Sequence, residues 1–216
     1  MIWFIGDTHF YDPHPAVFAN QYLRKNYRSI QEYSNSMDTR LMSSWKDLVS
    51  DDDTVYHLGD VGSFCNIDEA KTIISGLKGN KILIMGNHDM ERLDTRTPWG
   101  SEGEAVSFWR EVGFCEVIPP SAQPYVYHNQ KRGISIHMCH VPPMFINPPE
   151  FYVFAHVHMQ AHYRTVSANH MCVSAERMNF APISLSEIMV CRERESRDMM
   201  YDSSYRHDIL DRTYIR

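Results

Sequence analysis

The sequence predicts an α/β fold in one domain, on three observations. Short apolar runs alternate with helix-type patterns through the first half, those runs end directly in Asp, Asn or His residues, and the second half changes to closely spaced strand-type runs. Residues 2–5 form the first apolar run and lead into Gly6, Asp7, Thr8 and His9. Ser29 and Glu32 have capping-box spacing, and Ile30, Tyr33, Met37, Leu41, Trp45 and Leu48 recur at intervals of three or four, which predicts an amphipathic helix to Val49. Residues 54–58 read as a buried strand ending at Gly59 and Asp60. Asn66 is placed to cap a helix running to Leu77 that Gly79 stops. Residues 81–85 give a third strand, ending at Gly86 and Asn87, and residues 102–112 a helix. Residues 125–128 and 134–138 flank a turn closed by Gly133, a hairpin pattern, and residues 151–155 and 171–174 add further strands. Strand and helix in alternation imply parallel strands joined by right-handed crossovers, with functional residues at the carboxyl ends of the strands.

Composition narrows the class. A chain of 216 residues buries one sizeable core. It shows no repeat and no low-complexity linker, so a single domain over residues 1–190 is expected, followed by residues 191–216 as a polar tail or surface strap. From Arg192 onward six arginines and six acids cancel, with few aliphatics between them. A net charge of -6 disfavours a broad electrostatic grip on nucleic acid. The five cysteines form no Cys-x-x-Cys pair and read as reduced thiols in the cytoplasm. The apolar start is too short for a signal peptide, and no run approaches the length of a membrane span.

The residues able to carry chemistry stand in a fixed order: Asp7-Thr8-His9, Gly59-Asp60, Gly86-Asn87-His88-Asp89, His140, and His156-Val157-His158. Carboxylate, carboxamide and imidazole together suit Mn, Fe or Zn better than Ca or a thiolate-bound metal. An Asp-x-His pair alone is common; the ordered set is not.

Over residues 7–158 these five motifs resemble those of the calcineurin-like metallophosphoesterase superfamily. The resemblance implies a four-layer αββα sandwich of two mixed β-sheets flanked by helices. It also implies two divalent metal ions, Mn favoured, with Asp7, His9 and His158 holding the first, Asn87, His140 and His156 the second, and Asp60 bridging them. His88 is then the general acid, and Asp89 a partner that fixes the ring of a neighbouring histidine. The implied reaction is hydrolysis of a phosphodiester or phosphomonoester by a metal-bridging hydroxide. The family usually places Gly before the fourth-motif His and before the His-x-His pair, where this chain has Cys139 and Ala155. The protein Ser/Thr phosphatase branch fits poorly, because Asp60 is followed by Val61 and Gly62 and the third motif ends in Asp89. A small phosphoester, a nucleotide or a nucleic-acid end is therefore the expected substrate. The alternatives are a nuclease on RNA or single-stranded DNA, and a scaffold that keeps the fold without the chemistry.

Several residues outside these motifs carry competing readings. His57 is expected to be buried and hydrogen-bonded, Cys139 to be a small buried spacer, and Trp99, Phe108 and Trp109 to be core, although Trp99 has the alternative of overhanging the site. His14 has the chance of touching substrate from a rigid loop. Arg92, Arg164 and Arg177 are candidate phosphate clamps by residue type alone.

Overall fold

Alternate residues of the parallel strands face opposite cores, and that alternation sets the architecture. In the computed structural model, which describes residues 1–12, 27–93, 95–130, 133–146, 149–160 and 163–198, nine strands form two mixed sheets. The first contains β1 (Ile2–Ile5), β2 (Thr54–His57), β3 (Asn80–Ile84), β4 (Glu116–Ile118) and β9 (Ile183–Ser184) in the order β4-β3-β2-β1-β9. Its first four strands are parallel and β9 runs antiparallel to β1. The second contains β5 (Tyr125–Asn129), β6 (Ile134–Met138), β7 (Phe151–Phe154) and β8 (His170–Cys172) in sequence order. The β5–β6 pair is the expected antiparallel hairpin, and β6, β7 and β8 are parallel.

One face of the first sheet, with Trp3, Ile5, Val55, Leu83 and Val117, is covered by helices. These are α1 (Ile30–Leu48), α2 (Ile67–Gly76) and α3 (Glu102–Val112). The opposite face, with Phe4, Tyr56, Ile84 and Ile118, meets Ile136, Met138, Phe151, Val153 and Met171 of the second sheet. The two mixed sheets with their helices match the sandwich expected from the resemblance. Helix boundaries follow the capping chemistry: Ser29, Asn66 and Ser101 each accept a backbone N–H from the third residue inside their helix.

Among the strands and α-helices, β4, β9 and the helix α4 (Leu185–Asp198) were not anticipated. A reciprocal capping box starts α4, with the Glu187 amide donating to Ser184 Oγ at 3.2 Å and the Ser184 amide to Glu187 Oε2 at 2.7 Å. Ile188, Met189 and Cys191 then join the core between the sheets. The helix runs through position 190, and the Arg192 guanidinium lies 5.2 Å over the Phe151 ring. The stretch beyond 198 and His14, His162 and His207 lie outside the described residues. Among the described residues no helix is long and apolar enough to cross a membrane.

On α1, Asp38 is buried and accepts the Tyr11 amide at 3.2 Å. Burial lifts its carboxyl to about 6, against the Tyr11 hydrogen bond and with the help of the Asp12 charge. The folded state thus holds this proton more tightly than the unfolded chain, whose carboxyl titrates near pH 4. The resulting stability is complete below about pH 4 and is lost as pH rises through 6. Asp38→Asn keeps an oxygen for the Tyr11 N–H and is expected to stabilise metal-free protein by on the order of 1–2 kcal/mol at pH 8, and hardly at pH 4. Urea unfolding at the two pH values checks this; an equal effect at both would refute it.

Candidate metal centre

Each candidate ligand leaves the carboxyl end of a strand: Asp7 and His9 follow β1, Asp60 follows β2, Asn87 follows β3, His140 follows β6, and His156 and His158 follow β7. Five of these residues adopt the left-handed backbone region, with φ of 50° at Asp7, 41° at His9, 54° at Asp60, 69° at His156 and 44° at His158. A residue with a Cβ resists that conformation, and such strain collects where surrounding contacts over-determine the chain. Here the Asp7 amide donates to Gly59 O at 2.9 Å, the His9 amide to Asp60 O at 3.1 Å, and the Arg177 guanidinium to His158 O. Two glycines let the loops approach. A Cβ on Gly86 would collide with the Asp60 carboxylate, and one on Gly59 with the Gly86 backbone.

The sequence-predicted ligands come together in two groups. Asp7, His9 and His158 form one and Asp60, His140 and His156 the other, the ligand atoms within each group lying within 4.8 Å of one another. Asn87 Oδ1 stands 3.1 Å from His140 Nε2 and joins the second group. Asp60 lies between the two: its Oδ2 is 3.3 Å from His140 Nε2 and 3.7 Å from His9 Nε2, while its Oδ1 accepts the His88 amide at 2.9 Å. The donor set fits divalent metal. Asp7 Oδ1 and His9 Nε2 are buried yet have no hydrogen-bond partner among the described residues. Such atoms are costly to bury, and a shared cation is the partner that satisfies both.

The electrostatics couple buried carboxylates to buried imidazoles. Burial alone would raise Asp60, but the His140 charge and hydrogen bond overcome it and hold the carboxyl far below its usual range. Burial likewise opposes charge on His140 and His158. Asp60 and Asp7 nevertheless push His140 up to about 9, and Asp7 and Glu176 push His158 up to about 10. A metal entering the site must displace these protons.

The surrounding residues show what holds the ligands. His57 is buried and neutral, its pKa driven down to about 3 by burial; its Nε2 meets Thr8 Oγ1 at 2.9 Å, while that hydroxyl donates to Val61 O at 2.7 Å. The expectation of a buried, hydrogen-bonded histidine is met, and His57 pins the first motif to the second. Asp89 differs from expectation. Its oxygens accept backbone amides from Asp60 at 2.9 Å, Val61 at 3.0 Å and Gly86 at 2.7 Å, so it fixes the loops rather than a histidine ring. The ring contacts come from elsewhere: His140 Nδ1 meets Leu58 O at 2.7 Å, and His158 Nδ1 meets Glu176 Oε1 at 3.0 Å. Sequence reasoning did not single out Glu176 or Ser174, whose Oγ donates to Asp7 Oδ2 at 2.6 Å. His88 is 44% exposed beside the two groups, its ring centroid 5.5 Å from that of His9.

Other candidates resolve differently. Arg177 is buried, and besides His158 O it donates to Tyr163 O, Thr165 Oγ1 and Gln160 O, which leaves it no role as a phosphate clamp. Arg92 lies 5.2 Å over the Trp99 ring and pairs with Glu104, and Arg164 approaches Glu195 at 3.6 Å. Trp99 packs on the helix-side core, 5.1 Å from Phe108, as the core reading expected. Cys139 is buried, with burial pushing its thiol up to about 12. Neither Cys139 nor Ala155 has a positive φ. The methyl of Ala155 faces Gly6, so the room that the family's glycine would leave is supplied by Gly6 from the facing sheet.

Comparison with known proteins agrees with this geometry. The family model for calcineurin-like phosphoesterases matches residues 1–160. The uncharacterised protein MJ1445 of Methanocaldococcus jannaschii is 33% identical over 89 residues, which cover 41% of this chain and 46% of that protein, a little under half of its length. Among solved structures, the protein of unknown function AQ665 from Aquifex aeolicus superposes with a TM-score of 0.54 at 22% identity, over 92% of this chain and 98% of that one, a likeness of fold.

Removing the Asp89 carboxylate strands three buried amides, each worth about 1–3 kcal/mol when left unpaired. Asp89→Ala is therefore expected to lower stability by at least about 3 kcal/mol, and Asp89→Asn, which keeps one accepting oxygen, by less. Thermal unfolding of metal-free protein reads the difference, and equal losses would contradict the assignment.

Proposed function

The chain belongs to the calcineurin-like phosphoesterase family, and from that premise we propose that it is a dinuclear metal-dependent hydrolase of small phosphodiesters or nucleotides. The observation that carries this is the pair of Asp/His groups joined through Asp60, with His88 beside them. Asp7, His9 and His158 would hold one divalent ion, Mn by preference, and Asn87, His140 and His156 the other, with Asp60 shared. Bound divalent cations supply the charge that neutralises phosphoryl oxygens, and they acidify water near neutral pH.

The protein's own residues supply order and a proton. Asp89 ties the Asp60 loop to the Gly86 loop, so the bridging carboxylate and the His88 backbone move as one unit. His88 follows a ligand directly and stays exposed, which lets its imidazole protonate the departing alcohol during in-line attack of water on phosphorus. No covalent enzyme intermediate is required. The absence of an Asp-Arg pair after Asp60 and the Asp at position 89 set the chain apart from the protein phosphatase pattern, which supports a small substrate. The five free cysteines support a cytoplasmic setting.

Hydrolysis of bis-p-nitrophenyl phosphate and p-nitrophenyl phosphate with added Mn2+ tests this reading. Asp60→Asn is expected to abolish turnover of both. His88→Ala should lower kcat about 100-fold or more on an alkyl diester and less on the nitrophenyl esters, whose leaving group departs without a proton. The ratio of the two rates assigns the diester or monoester class. Metal-loaded protein inert on both, and on nucleotides, would favour the scaffold alternative.

A further inference from the structure

We propose that the tetrapeptide of Ser174, Ala175, Glu176 and Arg177 is the positioning element of the first metal subsite, with Glu176 as its central residue. The inference rests on the two-metal reading above. The segment lies beyond the residues that the family model matches, yet it reaches the site by continuing the pairing of β1. The Gly6 amide donates to Val173 O at 2.9 Å and the Ala175 amide to Gly6 O at 2.8 Å, which seats Ser174 and Glu176 next to Asp7.

Its three polar side chains divide the work on a single triad. Ser174 Oγ donates to Asp7 Oδ2, fixing that carboxylate, while Oδ1 has no hydrogen-bond partner among the described residues. Glu176, 1% exposed, accepts a hydrogen bond from His158 Nδ1 at 3.0 Å, which sets the tautomer that presents Nε2 to a cation. Arg177 binds the His158 carbonyl and three further acceptors in residues 160–165, holding the left-handed turn at His158. The second triad is built differently. His140 faces the neutral carbonyl of Leu58, and no side chain of the segment hydrogen-bonds to His140 or His156. Glu176 Oε2 is buried without a hydrogen bond among the described residues. Packing gains nothing from a buried carboxylate with an unsatisfied oxygen, whereas a carboxylate behind a ligating histidine both orients the ring and raises its basicity. Glu176 is a positioning residue because it acts through His158.

Metal counting tests this separately from turnover. Metal-free protein is titrated with Mn2+, and bound metal per chain and each dissociation constant are measured for wild type, Glu176→Gln and Glu176→Ala. A His156→Ala background leaves the Asp7, His9 and His158 triad as the intact subsite. The expected result is two equivalents for wild type and, in Glu176→Ala, one equivalent weakened about 10- to 100-fold while the other is unchanged. Glu176→Gln, which keeps an accepting oxygen without the charge, should fall between. In the His156→Ala background the remaining equivalent should be the weakened one. Wild-type affinity at both subsites in Glu176→Ala overturns the proposal, as does equal weakening at both with a lowered melting temperature of the metal-free protein, which marks a purely structural role. A wild type that binds no metal overturns the two-metal reading and this proposal with it.

Discussion

The site is organised by the Asp60 carboxylate. It is buried between two clusters of imidazoles, and three of the other four motifs are tied to Asp60: the His9 amide donates to the Asp60 carbonyl, the His88 amide to Oδ1, His140 pairs with Oδ2, and Asp89 accepts the Asp60 amide. An anion buried this deeply is tolerable only with positive charge on both sides. The His140 charge and hydrogen bond hold the Asp60 carboxyl below its usual range, and Asp60 in turn pushes His140 up, both against burial. A divalent metal held by these residues would replace those protons with a stronger counter-charge.

The fold follows from the need to bring such loops together. The carboxyl ends of strands from both sheets deliver candidate ligands to one place, so neither sheet alone makes the site. The alternation of Trp3 and Ile5 with Phe4, of Val55 with Tyr56, and of Leu83 with Ile84 buries both faces of the first sheet, one under helices and one against the second sheet. Burying the strands holds their ends still, and the left-handed turns at Asp7, His9 and Asp60 re-aim the side chains from those fixed ends.

The clustering of Asp7, His9, Asp60, Asn87, His140, His156 and His158 was legible because residue type, order and position after apolar runs all pointed the same way. His57 was legible too, since a histidine inside a buried strand has few alternatives to a hydrogen bond. The supporting residues were not. Asp89 has the composition of a ring partner, and only the folded loops show three amides converging on it. Glu176 and Arg177 sit in an unremarkable segment with no characteristic spacing to His158, and strand pairing across the chain brings them into place. The helix α4 was masked by its balanced charges, although the Ser184 and Glu187 spacing carried a capping signal that could have located it.

The central claim, that Asp60 is shared by two metal subsites, is tested most directly by anomalous diffraction from crystals grown with Mn2+. The account predicts two anomalous peaks about 3.5–4 Å apart, one beside Asp7, His9 and His158 and one beside Asn87, His140 and His156, with an Asp60 oxygen within bonding distance of both. A single peak, or two peaks that do not share Asp60, would contradict it.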